Sequence, residues 1–471
     1  MVFSSQIFLF YFLPLTLALY YLAPKRAKNG VITLLSYVFY GWGTPILIVL
    51  ILFSTAVDYA CGLSIGRARA AGARRAARAA VVVSICTNLG LLAFFKYFIF
   101  ATDSFDTVVS ALGLAEMRID LWFRVALPLG ISFYTFQSMS YTIDVYRGHA
   151  EPIRRFVDFA AYVAMFPQLV AGPIVRFHEV DRQLLERDHT PEKIARGLAL
   201  LALGLAKKVL IANPMGRAAD IAFGAASIAA PEAWFGVAAY SFQLYFDFSG
   251  YSDMALGLGL LLGFVFPRNF DSPYRSRSIT EFWGRWHLSL SHWLRDYLYL
   301  PLGGNRRGQG RTYFNLAAVM LLGGFWHGAS ATFVAWGAFH GAALIVERLL
   351  GKRSPYRRLP GWAQVAATSA LVAVGWVFFR AASLHEALRY LGAMFGMPAA
   401  ESAALLPGLL YQPFYLAVMA IAAFVVWVAP HSTSFAVRLN WAKLTAIYVV
   451  FALAVVALAT QTFNPFIYFI F

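Results

Sequence analysis

The chain has 471 residues, of which 60% are hydrophobic, 17% aromatic and only 13% charged, whereas a soluble domain carries about 25% charged residues. Apolar runs long enough to span a bilayer recur from end to end, and no hydrophilic stretch between them is long enough for a soluble domain. The net charge of +16 resides mostly in arginines in short loops between apolar segments. That pattern orients helices and attracts anionic membrane lipids, so no nucleic-acid partner is expected. These bounds predict an all-α polytopic membrane protein with one membrane domain over residues 1–471. Cys61 and Cys86 form no disulfide or metal framework, and no metal is expected.

The opening MVFSSQ lacks the basic region of a signal peptide, so Ile7–Leu22 is expected to stay as a transmembrane helix. Val31–Tyr40 and Ile46–Leu63 read as a short pair broken at Gly41, Gly43 and Pro45. The run RARAAGARRAAR, with Arg67, Arg69, Arg74, Arg75 and Arg78, is the strongest cytoplasmic marker. Ala80–Phe100 then spans outward to an acidic loop with Asp103, Asp106 and Glu116, which alternation places on the same side as the N-terminus, outside.

In LPLGISFYTFQSMSYTIDVYRG, Leu127 to Gly148, Pro128 and Gly130 interrupt the helix early. Gln137, Ser138, Ser140 and Asp144 give it a polar side suited to interhelical hydrogen bonds. FPQLVAGPIV predicts a broken or re-entrant segment, which survives at membrane depth only under a cover of protein or in a water-filled cavity. Arg176 to Arg196 reads as a loop with short interfacial helices. Lys207 and Lys208, inside the apolar Gly197–Asn213, are expected to snorkel to an interface.

Between Trp234 and Phe266, Gln243, Asp247 and Tyr251 recur every fourth residue and share one helix face, while Asp253 lies on another. Asp247 needs a partner in such apolar company, and an arginine of the histidine-rich stretch downstream is expected to supply it, as a structural ion pair or in substrate handling. Gly257, Gly259 and Gly263 lack the spacing of a dinucleotide fingerprint and are assigned to close helix packing.

Glu281 to His340 organises the chain, holding four of its nine histidines, His287, His292, His327 and His340. His287, Ser291 and Arg295 lie at four-residue spacing, which predicts one face of an amphipathic helix over Ser278–Tyr299, with Trp283, Trp286 and Trp293 at the membrane interface. The basic loop GGNRRGQGR should face the cytoplasm. From Thr312 the chain is apolar up to His327, and about fifteen helical residues rise about 22 Å, which puts His327 deep in the membrane. Gly323, Gly324 and Gly328 allow a bend and close backbone approach there. His340 reads as structural. Trp362–Phe379, Leu409–Val428 and Ala442–Thr460 are further spans, Leu384–Met397 is short and re-entrant, and the chain ends outside with FNPFIYFIF.

The sequence has no phosphate-binding loop, HExxH, paired CxxC or GxSxG elbow. What remains is histidine chemistry in a membrane cavity. A buried neutral histidine can act as general base on a hydroxyl while a second polar group orients an acyl carbonyl. A proton-coupled transporter or flippase would use the same residues, so this chemistry leaves the choice open.

Six stretches carry a resemblance: MVFSSQIFLFYFLP, LPLGISFYTFQSMSYTIDVYRG, FPQLVAGPIVRF, QLYFDFSGYSDMALGLG, SITEFWGRWHLSLSHWLRDYLYLPLGGNRRG and LLGGFWHGA. Through them nearly the whole chain resembles the membrane-bound O-acyltransferases, in their alginate O-acetyltransferase branch. The resemblance implies about a dozen transmembrane and re-entrant helices around a central funnel. His327 matches the family's catalytic histidine and His287 its second functional histidine. Asp247, Arg295 and Asn305 are polar candidates for lining or bracing the funnel. The implied donor is cytoplasmic acetyl-CoA, with no bound cofactor. The implied partners are a periplasmic SGNH-hydrolase-like acetyltransferase and a polysaccharide biosynthesis and export complex, and the implied site is the bacterial inner membrane. FIYFIF resembles an aromatic end motif whose tyrosine, here Tyr468, carries the acyl group. Relatives acting on peptidoglycan, cellulose or teichoic acids share the histidines.

Overall fold

A computed structural model describes residues 1–119, 121, 125, 127–170, 172–351, 354–397, 405–461, 463–465 and 467, and no strand occurs among them. Five of their helices are long and apolar enough to cross a membrane: Leu47–Ala70, Arg74–Ala111, Ala331–Leu350, Gly361–Arg380 and Trp441–Thr460. Phe8–Leu22 and Pro413–Trp427 are shorter apolar helices. The chain forms two compact units.

The first unit takes Met1, Phe10–Asp188 and Leu262–Phe266. Its helices are α1 (Leu13–Leu22), α2 (Lys28–Gly41), α3 (Leu47–Ala70), α4 (Arg74–Leu92), α5 (Phe98–Ala111), α6 (Ile131–Arg147), α7 (Phe156–Ala164), α8 (Phe166–Leu169) and α9 (Phe177–Leu185). Helices α3, α4 and α6 meet at a buried polar knot. The Asp58 carboxylate accepts from Ser84 Oγ at 2.6 Å and from Asn88 Nδ2 at 2.8 and 3.0 Å, and Ser84 Oγ lies 2.8 Å from Thr142 Oγ1. A buried carboxylate supplied with donors avoids the desolvation penalty of an unpaired one. Cys61 on α3 is buried, Cys86 on α4 is exposed, and both are free thiols.

Helix α6 starts where Pro128 and Gly130 predict a break. Gly130 adopts φ +71°, and a Cβ there would collide with the Leu169 carbonyl oxygen. The polar side of α6 makes the expected interhelical bonds: Ser140 Oγ sits 3.1 Å from Tyr162 OH and accepts from Phe177 N at 3.2 Å. The FPQLVAGPIV segment is broken as expected, with α8 a single turn followed by irregular backbone. Protein covers that backbone: Ser36 Oγ accepts from Phe166 N at 3.0 Å, and Tyr162 OH donates to Val175 O at 2.9 Å. Helix α9 occupies the loop expected after it, opened by Glu179 Oε2 accepting from Arg176 N at 2.8 Å.

The second unit takes Val2–Leu9, His189–Leu261 and Pro267–Phe471. It begins with α10 (Pro191–Ala206), which passes through a π turn at Lys207–Ala212 into α11 (Asn213–Phe223), and then α12 (Ala230–Leu261). Helices α10 and α12 cross backbone to backbone. A Cβ at Gly204 would collide with Gly250 O, and one at Gly257 with Gly197 O, so Gly257 is a packing glycine as expected. Gly263 instead follows the end of α12 at φ +87°.

This close crossing corrects two expectations. Lys207 and Lys208 do not snorkel: Lys208 Nζ lies 2.6 Å from Asp247 Oδ1, and Lys207 Nζ lies 2.7 Å from Asp253 Oδ2, which also accepts from Ser432 Oγ at 2.6 Å. The partner of Asp247 is therefore Lys208 and not an arginine of the histidine-rich stretch. With the helix backbones in contact at Gly204 and Gly250, a lysine one turn on reaches an aspartate before it reaches an interface, and pairing offsets the cost of burying either charge alone.

The remaining helices are α13 (Ile279–Trp283), α14 (Leu288–Leu294), α15 (Gln309–His327), α16 (Ala331–Leu350), α17 (Gly361–Arg380), α18 (Leu384–Met394), α19 (Leu406–Leu410), α20 (Pro413–Trp427), α21 (Ser432–Phe435) and α22 (Trp441–Thr460). Helix α18, in the stretch expected to be re-entrant, buries Ala387, Tyr390, Ala393 and Met394 in an apolar cluster, where Tyr390 stacks on Phe223 of α11 at 4.0 Å. Tyr468 lies outside the described residues.

Candidate active site

The predicted single helix over Ser278–Tyr299 is broken in two. Ser278 Oγ caps α13 by accepting from Glu281 N at 3.0 Å, and α13 ends after five residues. His287 then takes a left-handed turn, φ +44°, at the head of α14. Tertiary bonds outweigh the helical period here. Leu288 N donates to Asn269 O at 2.9 Å, Ser289 Oγ donates to Asn269 Oδ1 at 2.6 Å, and Asn269 Nδ2 donates to Ser252 Oγ at 2.9 Å. The turn is thereby pinned to α12. Nothing in the local pattern around Asn269 marked it as this anchor.

The break turns His287 out of the helical run that carries Ser291, although its carbonyl still accepts from Ser291 N at 3.0 Å. The His287 side chain is 1% exposed, and its ring stands edge-on to Phe248 of α12 at 4.7 Å. Neither ring nitrogen has a hydrogen-bond partner among the described residues. Such an orphaned polar side chain is costly in a packed interior, and a bound substrate or water relieves the cost. Trp286 and Trp293 are buried and not interfacial: Trp286 stacks on Phe282 at 5.4 Å and lies 5.0 Å from Trp376.

His327 is the last residue of α15 and is 4% exposed. Helices α15 and α16 pack through glycines, for a Cβ at Gly324 would collide with Phe333 O and one at Gly337 with Met320 O. Ser330 Oγ begins α16 by accepting from Thr332 N at 3.3 Å. The His327 ring meets Trp336 and Phe379 edge-on, each at 5.3 Å, and its centre lies 6.4 Å from that of His287. The two histidines singled out by sequence therefore come together, although 40 residues apart in the chain.

A cavity of about 190 Å³ lies against His327. Ser291 and Arg295 line it from one side, Gly323 and His327 from α15, and Trp336 and Leu344 from α16. Arg295 is half-exposed and holds Asp296 through Nε–Oδ1 at 2.7 Å and Nη2–Oδ2 at 3.1 Å. One cavity thus borders both a buried imidazole and a half-exposed guanidinium. His340 does not line it. Its ring lies 5.2 Å from both Trp283 and Trp336, in keeping with a structural role. Asn305 lies exposed on the turn between α14 and α15, where its neighbour Gly304 accepts from Asn315 Nδ2 at 2.8 Å. Asp247 of α12 and Lys208 of the π turn form a second polar centre, outside the cavity lining.

A buried imidazole beside a cavity that a guanidinium also borders suits group transfer from an anionic donor. Comparison with known proteins supports such chemistry. The family model of the membrane-bound O-acyltransferases matches residues 148–384, which include both histidines. A probable alginate O-acetylase of Pseudomonas putida is 43% identical over 491 residues, covering 100% of both chains. One of Azotobacter vinelandii is 49% identical over 397 residues, covering 84% of this chain and 78% of its own. A peptidoglycan O-acetyltransferase of Helicobacter pylori is 36% identical over 432 residues, covering 84% of this chain and 80% of its own. With a family match over half its length and relatives aligned along most or all of it, this multi-pass membrane chain belongs to the membrane-bound O-acyltransferase family and is an acyltransferase.

Proposed function

We propose that the chain takes an acetyl group from cytoplasmic acetyl-CoA and moves it across the bacterial inner membrane for O-acetylation of an exopolysaccharide, alginate in first place. The choice of acceptor rests on the relatives: those 43% and 49% identical are named probable alginate O-acetylases, and the peptidoglycan enzyme is 36% identical. The choice of site rests on one observation, the cavity bordered by both His327 and Arg295.

In this reading Arg295, with Arg306, Arg307 and Arg311 of the following turn and helix, attracts the phosphates of the donor. The thioester enters beside His327. The acceptor hydroxyl gives its proton to a His327 ring nitrogen as its oxygen bonds to the carbonyl carbon. The tetrahedral centre collapses, the C–S bond breaks, and the sulfur leaves with that proton as free CoA thiol. His287 is the second polar group, orienting the acyl carbonyl through its ring N–H. Tyr468 is the proposed acyl carrier, which takes the group toward the outer side. It would pass the group to a periplasmic SGNH-hydrolase-like acetyltransferase within a polysaccharide biosynthesis and export complex.

The test uses radiolabelled acetyl-CoA and purified protein in liposomes, with peptide mapping of bound label. Acetyl-CoA consumption that disappears in His327→Ala, in protein still inserted and folded, is the expected result. Unchanged consumption in that variant would overturn the role of His327. No consumption by the wild-type protein would overturn acetyl-CoA as donor.

A further inference from the structure

The C-terminal segment does not simply trail from α22. Its described residues thread into the buried polar centre of the second unit. Lys208 Nζ donates to Pro465 O, and Asp247 Oδ2 accepts from Ile467 N at 3.0 Å. Lys208 and Asp247 pair with each other at 2.6 Å, with side chains 3% and 1% exposed. One residue of the pair thus holds a carbonyl of the tail, and the other holds an amide two residues on. Around this clamp, Asn464 Nδ2 donates to Ser4 O at 2.8 Å, Asn213 Nδ2 donates to Asn464 Oδ1 at 3.3 Å, and the Arg217 guanidinium lies 5.3 Å from the Phe463 ring centre.

A buried ion pair adds little net stability compared with apolar side chains of similar volume. What it does supply is direction, because a charged acceptor and a charged donor each fix a backbone group in register. The position of the clamp along α12 is informative. Asp247 is the residue before Phe248, whose ring supports His287 at 4.7 Å. Consecutive helix residues are separated by a rise of about 1.5 Å and a turn of about 100°. One turn of α12 therefore holds Ile467 on one side and braces a site histidine on another.

We propose that the Lys208–Asp247 pair is a clasp that seats the C-terminal segment at the level of the histidine pair, and that these are positioning residues for the step that carries the acyl group away from the site. The functional half of this inference rests on the acyl-transfer reading. Tyr468, the candidate carrier, follows directly on the clasped Ile467 in the chain. Attack on the donor at His327 does not require the clasp, but delivery of the acyl group does.

The test has two readouts, and the first is independent of the donor. In a Cys86→Ser background, Ile467→Cys probes the tail by its rate of reaction with a maleimide in purified full-length protein. The residue is 6% exposed and should be protected. Adding Asp247→Asn, Lys208→Met or the paired apolar replacement Lys208→Met/Asp247→Leu should raise its labelling by at least about tenfold. The paired replacement leaves no unpaired buried charge, so it guards against simple misfolding. Continued protection in all three would overturn the clasp. The second readout compares acetyl-CoA cleavage with acetyl transfer to the acceptor. The clasp variants should keep cleavage and lose transfer by about a hundredfold. Deleting residues 465–471 should do the same, and a clasp variant combined with the deletion should lose no more than the deletion alone. Parallel loss of both activities, or additive losses, would overturn the positioning role. An exposed tail in a protein that never cleaves acetyl-CoA would keep the clasp and sink the donor assignment.

Discussion

The ring centres of His287 and His327 lie 6.4 Å apart, and of the two His327 alone lines the cavity. Their losses should therefore be unequal. Under the proposed chemistry His327→Ala removes the base that meets the donor and should lower kcat/KM by about a thousandfold or more, within the range of general base catalysis. His287→Ala should lower it less and mainly through kcat, because in that chemistry His287 orients a carbonyl already in place. Turnover of labelled acetyl-CoA by the two purified variants checks the order. Equal losses, or a larger one at His287, would contradict the assignment.

The backbone of His287 allows a separate test of strain. It is one of two described non-glycine residues in the left-handed region, at φ +44°. A Cβ in that conformation costs about 1–2 kcal/mol. Replacement by glycine and by alanine both delete the imidazole, so their difference isolates the backbone. His287→Gly should be more thermally stable than His287→Ala by about 1 kcal/mol, although both lose the imidazole and its share of turnover. A lower melting temperature for the glycine variant would show that the turn is not strained.

Those two histidines also mark where sequence reasoning succeeds and where it stops. His287 and His327 were legible as candidates because a membrane-like composition makes polar residues conspicuous and the family motifs match both, whereas their meeting is seen only in the fold. The breaks at Gly130 and in FPQLVAGPIV were legible because proline and glycine act locally. The turn at His287 was not, since four-residue spacing to Ser291 and Arg295 fits a continuous helix and the overriding bonds come from Asn269. Lys207 and Lys208 were misread for a related reason. Snorkelling is a property of one helix, whereas their capture by Asp253 and Asp247 depends on the glycine crossing of α10 and α12. Two lysines and two aspartates in adjacent apolar stretches were the available signal.

Gly324 sets the position of His327 from one turn away. A Cβ there would collide with the Phe333 carbonyl oxygen, which belongs to the backbone of α16 and cannot rotate aside. Gly324→Ala should push α15 from α16, costing about 1–3 kcal/mol of stability. It should also lower turnover by about a hundredfold, since a shift of about 1 Å in a catalytic group is enough for that loss. Gly310→Ala is the control on the same helix, because a Cβ there meets nothing within 4 Å. That change should leave turnover intact, with helix propensity gaining up to about 1 kcal/mol. Similar turnover in the two variants would separate the helix crossing from the site.

His178 should make stability depend on pH through a contact outside the spanning helices. It lies on α9, and its Nδ1 sits 2.7 Å from Asp144 Oδ2. The hydrogen bond to that carboxylate raises the imidazole above its ordinary value of 6.5, more than partial burial lowers it. A raised folded value means that the folded protein holds the proton more tightly than the unfolded chain. The pair's contribution is therefore fully present below about pH 6.5 and is lost as pH climbs through the raised folded value. Melting temperatures from about pH 5 to about pH 9, compared between wild type and His178→Gln, read this directly. The gap between the two should be widest at the acid end and shrink above about pH 6.5. Glutamine keeps a neutral donor for Asp144, so the difference reports the charge and not the bond alone. A gap that stays constant over the whole range would show that His178 is not protonated preferentially in the folded state.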